Sequence, residues 1–334
     1  MTRIRVLFNV LEVLKTEDIF PKVKSLGIET ISVFGNLGWE KLPYYFKAIA
    51  KEFPVRSEVS NGVNINLYHI PTYKGEAGWQ DSLRKDAERT ISSLAQLGIN
   101  NYCWMIECNL YGYKWNPLVG KYVHRDRLIE HFNTFYDIAH SVNPNANVII
   151  VPYPHPLINL NCGIHGWKDW WIKHGEKMKF DQVSLDAHVG VWIYAMNKKS
   201  IYKRLVNSIK FLKERGYSIS YVEVGYPTVG FKPLTGLYGW GREKNQIDLL
   251  DTCYQALTDM QVPYLQICEF IDPASAQVYE RFFGDEGKVP KFLGFIPVLE
   301  EAHWGVFKSN GTEKKVCEWI RKVTGIIPEK EVIL

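Results

Sequence analysis

The stretch Tyr221-Val222-Glu223-Val224-Gly225-Tyr226-Pro227-Thr228 runs from β-branched apolar residues into a carboxylate, and Gly and Pro follow at once. The run reads as a buried strand, and the Gly-Tyr-Pro as the chain leaving it. A carboxylate in that position is costly unless it is paired or used. Trp104-Met105-Ile106-Glu107-Cys108-Asn109 repeats the arrangement, again with a carboxylate ending an apolar run. Two carboxylates facing one another across a cleft are the apparatus of glycoside hydrolysis. One protonates the leaving oxygen, the other attacks the anomeric carbon, and their surroundings must drive the two pKa values apart. Glu223 is the leading catalytic candidate and Glu107 the second.

Other polar groups recur at the ends of apolar runs. Asn9 ends the first run and Asn36 follows the second. His69 ends the third, and His155 follows the fifth within Pro152-Tyr153-Pro154-His155-Pro156. Asp186 and His188 end the sixth, and Glu269 and Asp272 lie at the end of the eighth. Trp39, Trp79, Trp115, Trp192, Trp240 and Trp304 fall near expected loops, where an indole can serve as a sugar platform or simply pack. Tyr226 sits beside the lead carboxylate.

Eight strands have to position these groups: 4–10, 30–34, 63–70, 101–107, 147–153, 181–187, 218–224 and 263–270. Amphipathic helices alternate with them. One opens at Thr16, with Glu17 and Asp18 suited to the helix dipole. The segment 81–97 places Leu83, Ala87, Ile91 and Leu94 on one face and stops at Gly98. The segment 200–215 does the same with Ile201, Leu205, Ile209 and Leu212, then Gly216. Segments 126–140, 245–260 and 313–323 are amphipathic too. Trp167, Trp170 and Trp171 have helical spacing suited to seating a helix, and Lys198-Lys199 reads as a solvated helix start. Eight βα units without a linker imply α/β architecture, a single (β/α)8 TIM barrel over 1–334. The long connections 109–124, 154–166, 226–243 and 271–312 all follow strands, so they gather on the face where such barrels build substrate clefts.

Bulk properties narrow the function. The 334 residues are 46% hydrophobic, and 40 basic residues against 36 acidic ones leave a net charge of +4. That balance offers nothing to nucleic acid or to a membrane surface. An aromatic content of 14% suits flat apolar ligands such as sugar faces. The six cysteines lack a Cys-x-x-Cys spacing; Cys103, Cys108, Cys253, Cys268 and Cys317 lie in apolar patterns and read as reduced core residues, with Cys162 outside them. No apolar run is long enough to span a membrane. The N-terminus enters a strand directly, which implies a cytoplasmic protein, or a secreted one whose leader has been removed. Asn310-Gly311-Thr312 fits a glycosylation sequon that matters only in a eukaryotic secretory setting.

Several of these segments together resemble the clan A retaining glycoside hydrolases, whose hallmark is carboxylates at the ends of strands four and seven. Glu223-Val224-Gly225-Tyr226-Pro227-Thr228 is similar to the nucleophile segment of the family 17 β-1,3-glucanases and family 53 galactanases. Asp181-Gln182-Val183-Ser184-Leu185-Asp186-Ala187-His188 resembles the clan's sixth strand, and Glu269-Phe270-Ile271-Asp272-Pro273 an eighth-strand motif. His303-Trp304-Gly305-Val306-Phe307 with Asn310-Gly311-Thr312-Glu313-Lys314 resembles a common tail. The motifs cover the last half of the chain. Two positions depart from the clan: Ile106 stands where an Asn usually precedes the acid/base, and the end of strand two offers Asn36 where an Arg is usual.

The resemblance implies a retaining glycoside hydrolase or transglycosylase acting on a β-linked oligo- or polysaccharide. Glu223 would be nucleophile and Glu107 acid/base. His188, Asp186, Glu269, His69, Asn36, His155, Tyr226, Trp192 and Trp240 would bind substrate, with no cofactor and no metal. Two other readings stay open. A metal-dependent barrel sugar isomerase would use His69, Glu107, Asp186, His188, Glu223 and Glu269 as ligands. A non-catalytic glycan-binding barrel would use the same rim without turnover.

Overall fold

The computed structural model describes residues 2–8, 16–38, 40, 42–53, 63–69, 76–110, 125–154, 166–187, 197–226, 228, 242–272 and 304–326. Eight parallel strands close into a barrel in sequence order. They are β1 (Arg3–Phe8), β2 (Thr30–Asn36), β3 (Val63–Tyr68), β4 (Asn101–Trp104), β5 (Asn147–Ile150), β6 (Gln182–Asp186), β7 (Ile219–Val224) and β8 (Tyr264–Ile267). A helix follows each strand: α1 (Thr16–Ser25), α2 (Leu42–Glu52), α3 (Trp79–Ala95), α4 (Arg125–Val142), α5 (Trp167–Lys173), α6 (Lys198–Lys213), α7 (Glu243–Asp259) and α8 (Val316–Thr324). This is the (β/α)8 architecture expected from the alternation of strand and helix patterns.

The chain divides into two compact units. One holds Met1–Glu29, His188–Val206 and Val224–Leu334, the other Thr30–Ala187 and Asn207–Glu223. In the second unit β2 to β7 form a continuous parallel ladder. In the first, β1 pairs with β8, Arg3 opposite Tyr264 through Val6 opposite Ile267.

The helices form for the reasons their spacing gives. Leu83, Ala87, Ile91 and Leu94 of α3 are all fully buried, as are Ile201, Ile209 and Leu212 of α6, with Leu205 nearly so. Each Leu or Ile among them contributes about 1.5–3 kcal/mol when taken out of water. Gly98 and Gly216 follow these helices at φ 74° and 83°, a left-handed conformation that Gly reaches without strain. Trp167, Trp170 and Trp171 of α5 are buried as their spacing implies, Trp171 lying edge-on to Tyr217 at 5.2 Å. Lys198 and Lys199 are exposed. Cys103, Cys108, Cys253, Cys268 and Cys317 are buried and form no disulfide, and Cys162 lies outside the described residues. Among the described residues no helix is long and apolar enough to cross a membrane.

One boundary differs from expectation in a way that bears on the site. Strand β4 ends at Trp104, so Glu107 is not on the strand. Met105 turns to φ 51° and Glu107 to φ 56°, outside the extended region. The turn stays clamped all the same: Met105 N donates to Leu67 O of β3 at 3.2 Å, and Glu107 N to Val151 O at 2.8 Å. A short 3₁₀ turn, Cys108–Leu110, follows.

Candidate active site

In the unit of β2 to β7, side chains that face the barrel interior identify themselves by their contacts. Tyr221 of β7 donates its hydroxyl to Cys103 Sγ of β4 at 3.2 Å, and Asn64 Nδ2 of β3 donates to the same sulfur at 3.6 Å. Strands β4 and β7 are not ladder neighbours, so the Tyr221 bond crosses the interior. Trp104, the next residue along β4, stacks outward on Phe135 of α4 at 4.2 Å. Strand side chains alternate between faces. Glu223, two residues beyond Tyr221, therefore faces inward one layer nearer the C-terminal rim. It is 2% exposed.

A bulge sets what stands beside it. Val183 is opposite Ile219, but Leu185 is opposite Val222 and Asp186 opposite Glu223. Strand β7 thus carries one residue more than β6 over this span, and Tyr221 N donates to Ser184 Oγ at 3.2 Å within it. Without the extra residue Asp186 would be level with Val222, which points to the other face. With it, two buried carboxyl groups stand side by side on neighbouring strands.

Burial pushes the Asp186 carboxyl up from its ordinary range to about 8. Tyr153, just past β5, is held well above the usual phenol value, first by burial and then by the charges of Glu107 and Asp186. Its hydroxyl therefore keeps its proton while lying within electrostatic reach of both carboxyl groups. Asn109 fixes Tyr153 from the Glu107 turn. Its Nδ2 donates to Tyr153 O at 2.9 Å and its Oδ1 accepts from Tyr153 N at 2.6 Å. The two left-handed non-glycine residues of this turn, Met105 and Glu107, cost about 1–2 kcal/mol each and persist because the surrounding bonds hold them. The rim of β4 to β7 thus brings together Glu107, Tyr153, Asp186 and Glu223.

Other expected site residues have different surroundings. His69 is fully buried, and its Nε2 lies 3.2 Å from Ser82 Oγ and 3.3 Å from Asp86 Oδ2, both on α3. Burial lowers its pKa, against the opposing pull of Asp86. Asn36 is exposed at the end of β2. Trp79 is buried as the first residue of α3, against His131. Asn9, Trp39, Trp115, His155, His188, Trp192 and Trp240 lie outside the described residues.

The unit of β1 and β8 has a rim of its own. Glu269, two residues past β8, is 3% exposed, and Tyr226 is 1% exposed. Gln246 Nε2 of α7 lies 3.3 Å from Tyr226 O, 3.1 Å from Trp304 O and 3.3 Å from Gly305 O. Lys314 Nζ donates to Asp272 Oδ1 at 2.7 Å and to Thr228 Oγ1 at 3.0 Å, with Lys314 and Asp272 both buried. Among the described residues, no three His, Cys, Asp or Glu side chains come together to hold a metal ion.

Sequence rules could have found Tyr153, since it follows β5 at the same rim where the other candidates were sought. The bulge and the Asn109 clasp carry no sequence signal of comparable strength.

No protein-family model and no curated protein matches this chain. Solved structures do. A β-glucuronidase of Bifidobacterium dentium, complexed with coumarin-3-O-glucuronide, is similar over 98% of this chain and 47% of its own, at 15% identity and a TM-score of 0.61. A β-glucuronidase of Faecalibacterium prausnitzii is similar over 98% and 49%, at 12% identity and a TM-score of 0.62. A GH5_18 protein of Streptomyces cattleya, a glutamate-to-alanine variant in complex with Manβ1-4GlcNAc, is similar over 98% and 82%, at 11% identity and a TM-score of 0.66. The chain spans about half the length of the glucuronidases. At these identities the likeness is one of fold.

Proposed function

We propose that this protein is a retaining glycoside hydrolase acting on a β-linked glycan, with Glu223 as nucleophile and Glu107 as general acid/base. The observation that carries the reading is the rim of β4 to β7. There a buried, inward-facing Glu223 and a strained, clamped Glu107 share a barrel edge with Tyr153 and Asp186. Barrel enzymes do their chemistry at that C-terminal edge. The fold is also the one shared with β-glucuronidases and with GH5_18 proteins bound to Manβ1-4GlcNAc. In the double displacement, Glu107 protonates the leaving oxygen while Glu223 attacks the anomeric carbon. Glu107 then takes a proton from water, and that water releases the sugar from Glu223. Burial of Asp186 keeps its carboxyl protonated near neutral pH, so it adds no second negative charge beside the nucleophile.

The test is a panel of aryl β-glucuronides, β-mannosides, β-glucosides and β-galactosides, together with Manβ1-4GlcNAc. The native protein turns over at least one of them, and Glu223→Gln abolishes that turnover. A 2-fluoro sugar of the matching configuration labels Glu223. Full activity in Glu223→Gln removes it from the mechanism, and binding without turnover across the panel favours a glycan-binding barrel.

A further inference from the structure

The ladder between β4 and β5 ends with Trp104 opposite Ile150. The chain after β4 nevertheless stays tied to the chain after β5. Glu107 N donates to Val151 O at 2.8 Å. Asn109 then uses its side chain where a strand would use backbone. Its Nδ2 donates to Tyr153 O at 2.9 Å, and its Oδ1 accepts from Tyr153 N at 2.6 Å. One side-chain amide thus meets both polar backbone groups of Tyr153, as its paired donor and acceptor allow. Asn109 is fully buried, and Tyr153 nearly so, so neither group could turn to water instead.

This clasp closes a turn that its own residues do not favour. Met105 and Glu107 stand at φ 51° and 56°, a region that side chains other than Gly rarely adopt. Met105 N, on Leu67 O at 3.2 Å, anchors the entry to the turn, and Asn109 anchors its exit. From Asn101 to Asn109 every residue is buried except Glu107, which is half-buried. The turn therefore buries its neighbours and presents one carboxyl group at the rim. Glu107, Asn109, Tyr153 and Glu223 all belong to the same compact unit.

We propose that Asn109 is a positioning residue for Glu107: by clasping Tyr153 it holds the left-handed turn that sets the Glu107 carboxyl against the leaving-group oxygen. This rests on the glycoside hydrolase reading above. Asn109 touches no substrate in this account; it acts through the turn. A general acid works only within hydrogen-bond reach of the oxygen it protonates, and a misplacement of about 1 Å can cost on the order of 10²-fold.

The experiment compares two leaving groups on the sugar that the native protein turns over. A phenyl β-glycoside needs its leaving oxygen protonated, and a dinitrophenyl β-glycoside does not. In Asn109→Ala, assayed well below its melting temperature, kcat/KM falls about tenfold or more for the phenyl substrate and survives for the dinitrophenyl one. For the dinitrophenyl substrate kcat and KM fall together, because the glycosyl-enzyme still forms while water has lost a well-placed base. A merely structural Asn109 lowers the active fraction, which reduces kcat for both substrates alike and leaves KM where it was. That result, or native rates in the variant, overturns the proposal. If Asn109→Ala does not fold, Asn109→Asp decides. As a carboxylate it keeps an acceptor for Tyr153 N and gives up the donor to Tyr153 O, and the same split between substrates is required of it. Glu107→Ala, assayed in parallel, tells the two failures apart. A split there without one in the Asn109 variants overturns the positioning role alone. No split there, or a native protein that turns over nothing, overturns the acid/base reading and this role with it.

Discussion

At the scale of single residues, the chemistry turns on which carboxyl groups are charged. In the proposed mechanism Glu107 and Glu223 have different work to do, and substitution separates them. Glu107→Ala retains formation of the glycosyl-enzyme from substrates with good leaving groups, which need little protonation. The following hydrolysis slows by about 10²–10⁴-fold, because water has lost its general base. Rapid-quench mass spectrometry then finds the intermediate accumulating on Glu223; equal loss of both steps for activated and natural substrates counts against the acid/base assignment. Asp186 makes a different prediction. Its carboxyl titrates near 8 in the folded protein, raised from 3.8 by burial. Between those two values the folded state holds a proton that the unfolded state releases. Stability attributable to this group therefore falls as pH rises through the window, and levels off above it. Asp186→Asn has no such slope. Its melting temperature gains on the native protein between about pH 4.5 and 8.5, by about 3 °C or more. A constant difference across that range sinks the idea.

At the scale of elements, one strand ends earlier than its apolar run implies and another carries a bulge, and both features lie at the rim. Strand β4 stops three residues before Glu107, where a left-handed pair of residues lifts the carboxylate into a turn. Strand β7 continues one residue past Glu223, and its bulge against β6 brings that residue level with Asp186. The tail depends on one close approach. Gly305→Ala would set a methyl group 2.3 Å from Asp272 N and 2.6 Å from the Ile271 carbonyl carbon, both backbone atoms with little freedom to yield. The expected cost is about 1–3 kcal/mol from overpacking, read as a lower midpoint in urea. A stability equal to the native protein's means that the tail does not pack on the β8 segment as described.

At the scale of the whole molecule, the proposed double displacement predicts the stereochemistry. In a retaining enzyme the two carboxyl groups lie about 5–5.5 Å apart, whereas inversion needs about 6.5–9.5 Å to admit water. Proton NMR of the first-formed sugar distinguishes the two, and a β-anomer from a β-linked substrate is the expected product. An α-anomer would reassign Glu223 from nucleophile to general base. Activity is expected to survive exhaustive chelation. Loss with EDTA, restored by Mg²⁺ or Mn²⁺, moves the assignment to a metal-dependent sugar isomerase.

Sequence alone determined the architecture and singled out the candidate carboxylates. Eight apolar runs alternating with helices of 3.6-residue periodicity admit few arrangements other than a closed parallel barrel, since each helix must bury one face and each strand two. The third strand lies at Val63–Tyr68, within the expected 63–70. Glu223 and Glu107 were visible because a carboxylate breaking an apolar run is a local signal. Tertiary structure decided what stands around them. His69, read as a rim residue, has its imidazole Nε2 against Ser82 and Asp86 of α3, because which way a strand-end side chain turns is settled by the helix that packs on it. The level pairing of Asp186 with Glu223 comes from a one-residue register shift that apolar patterning does not encode. The clasp of Lys314 on Asp272 and Thr228 joins residues 42 and 86 positions apart, a proximity that only chain closure creates.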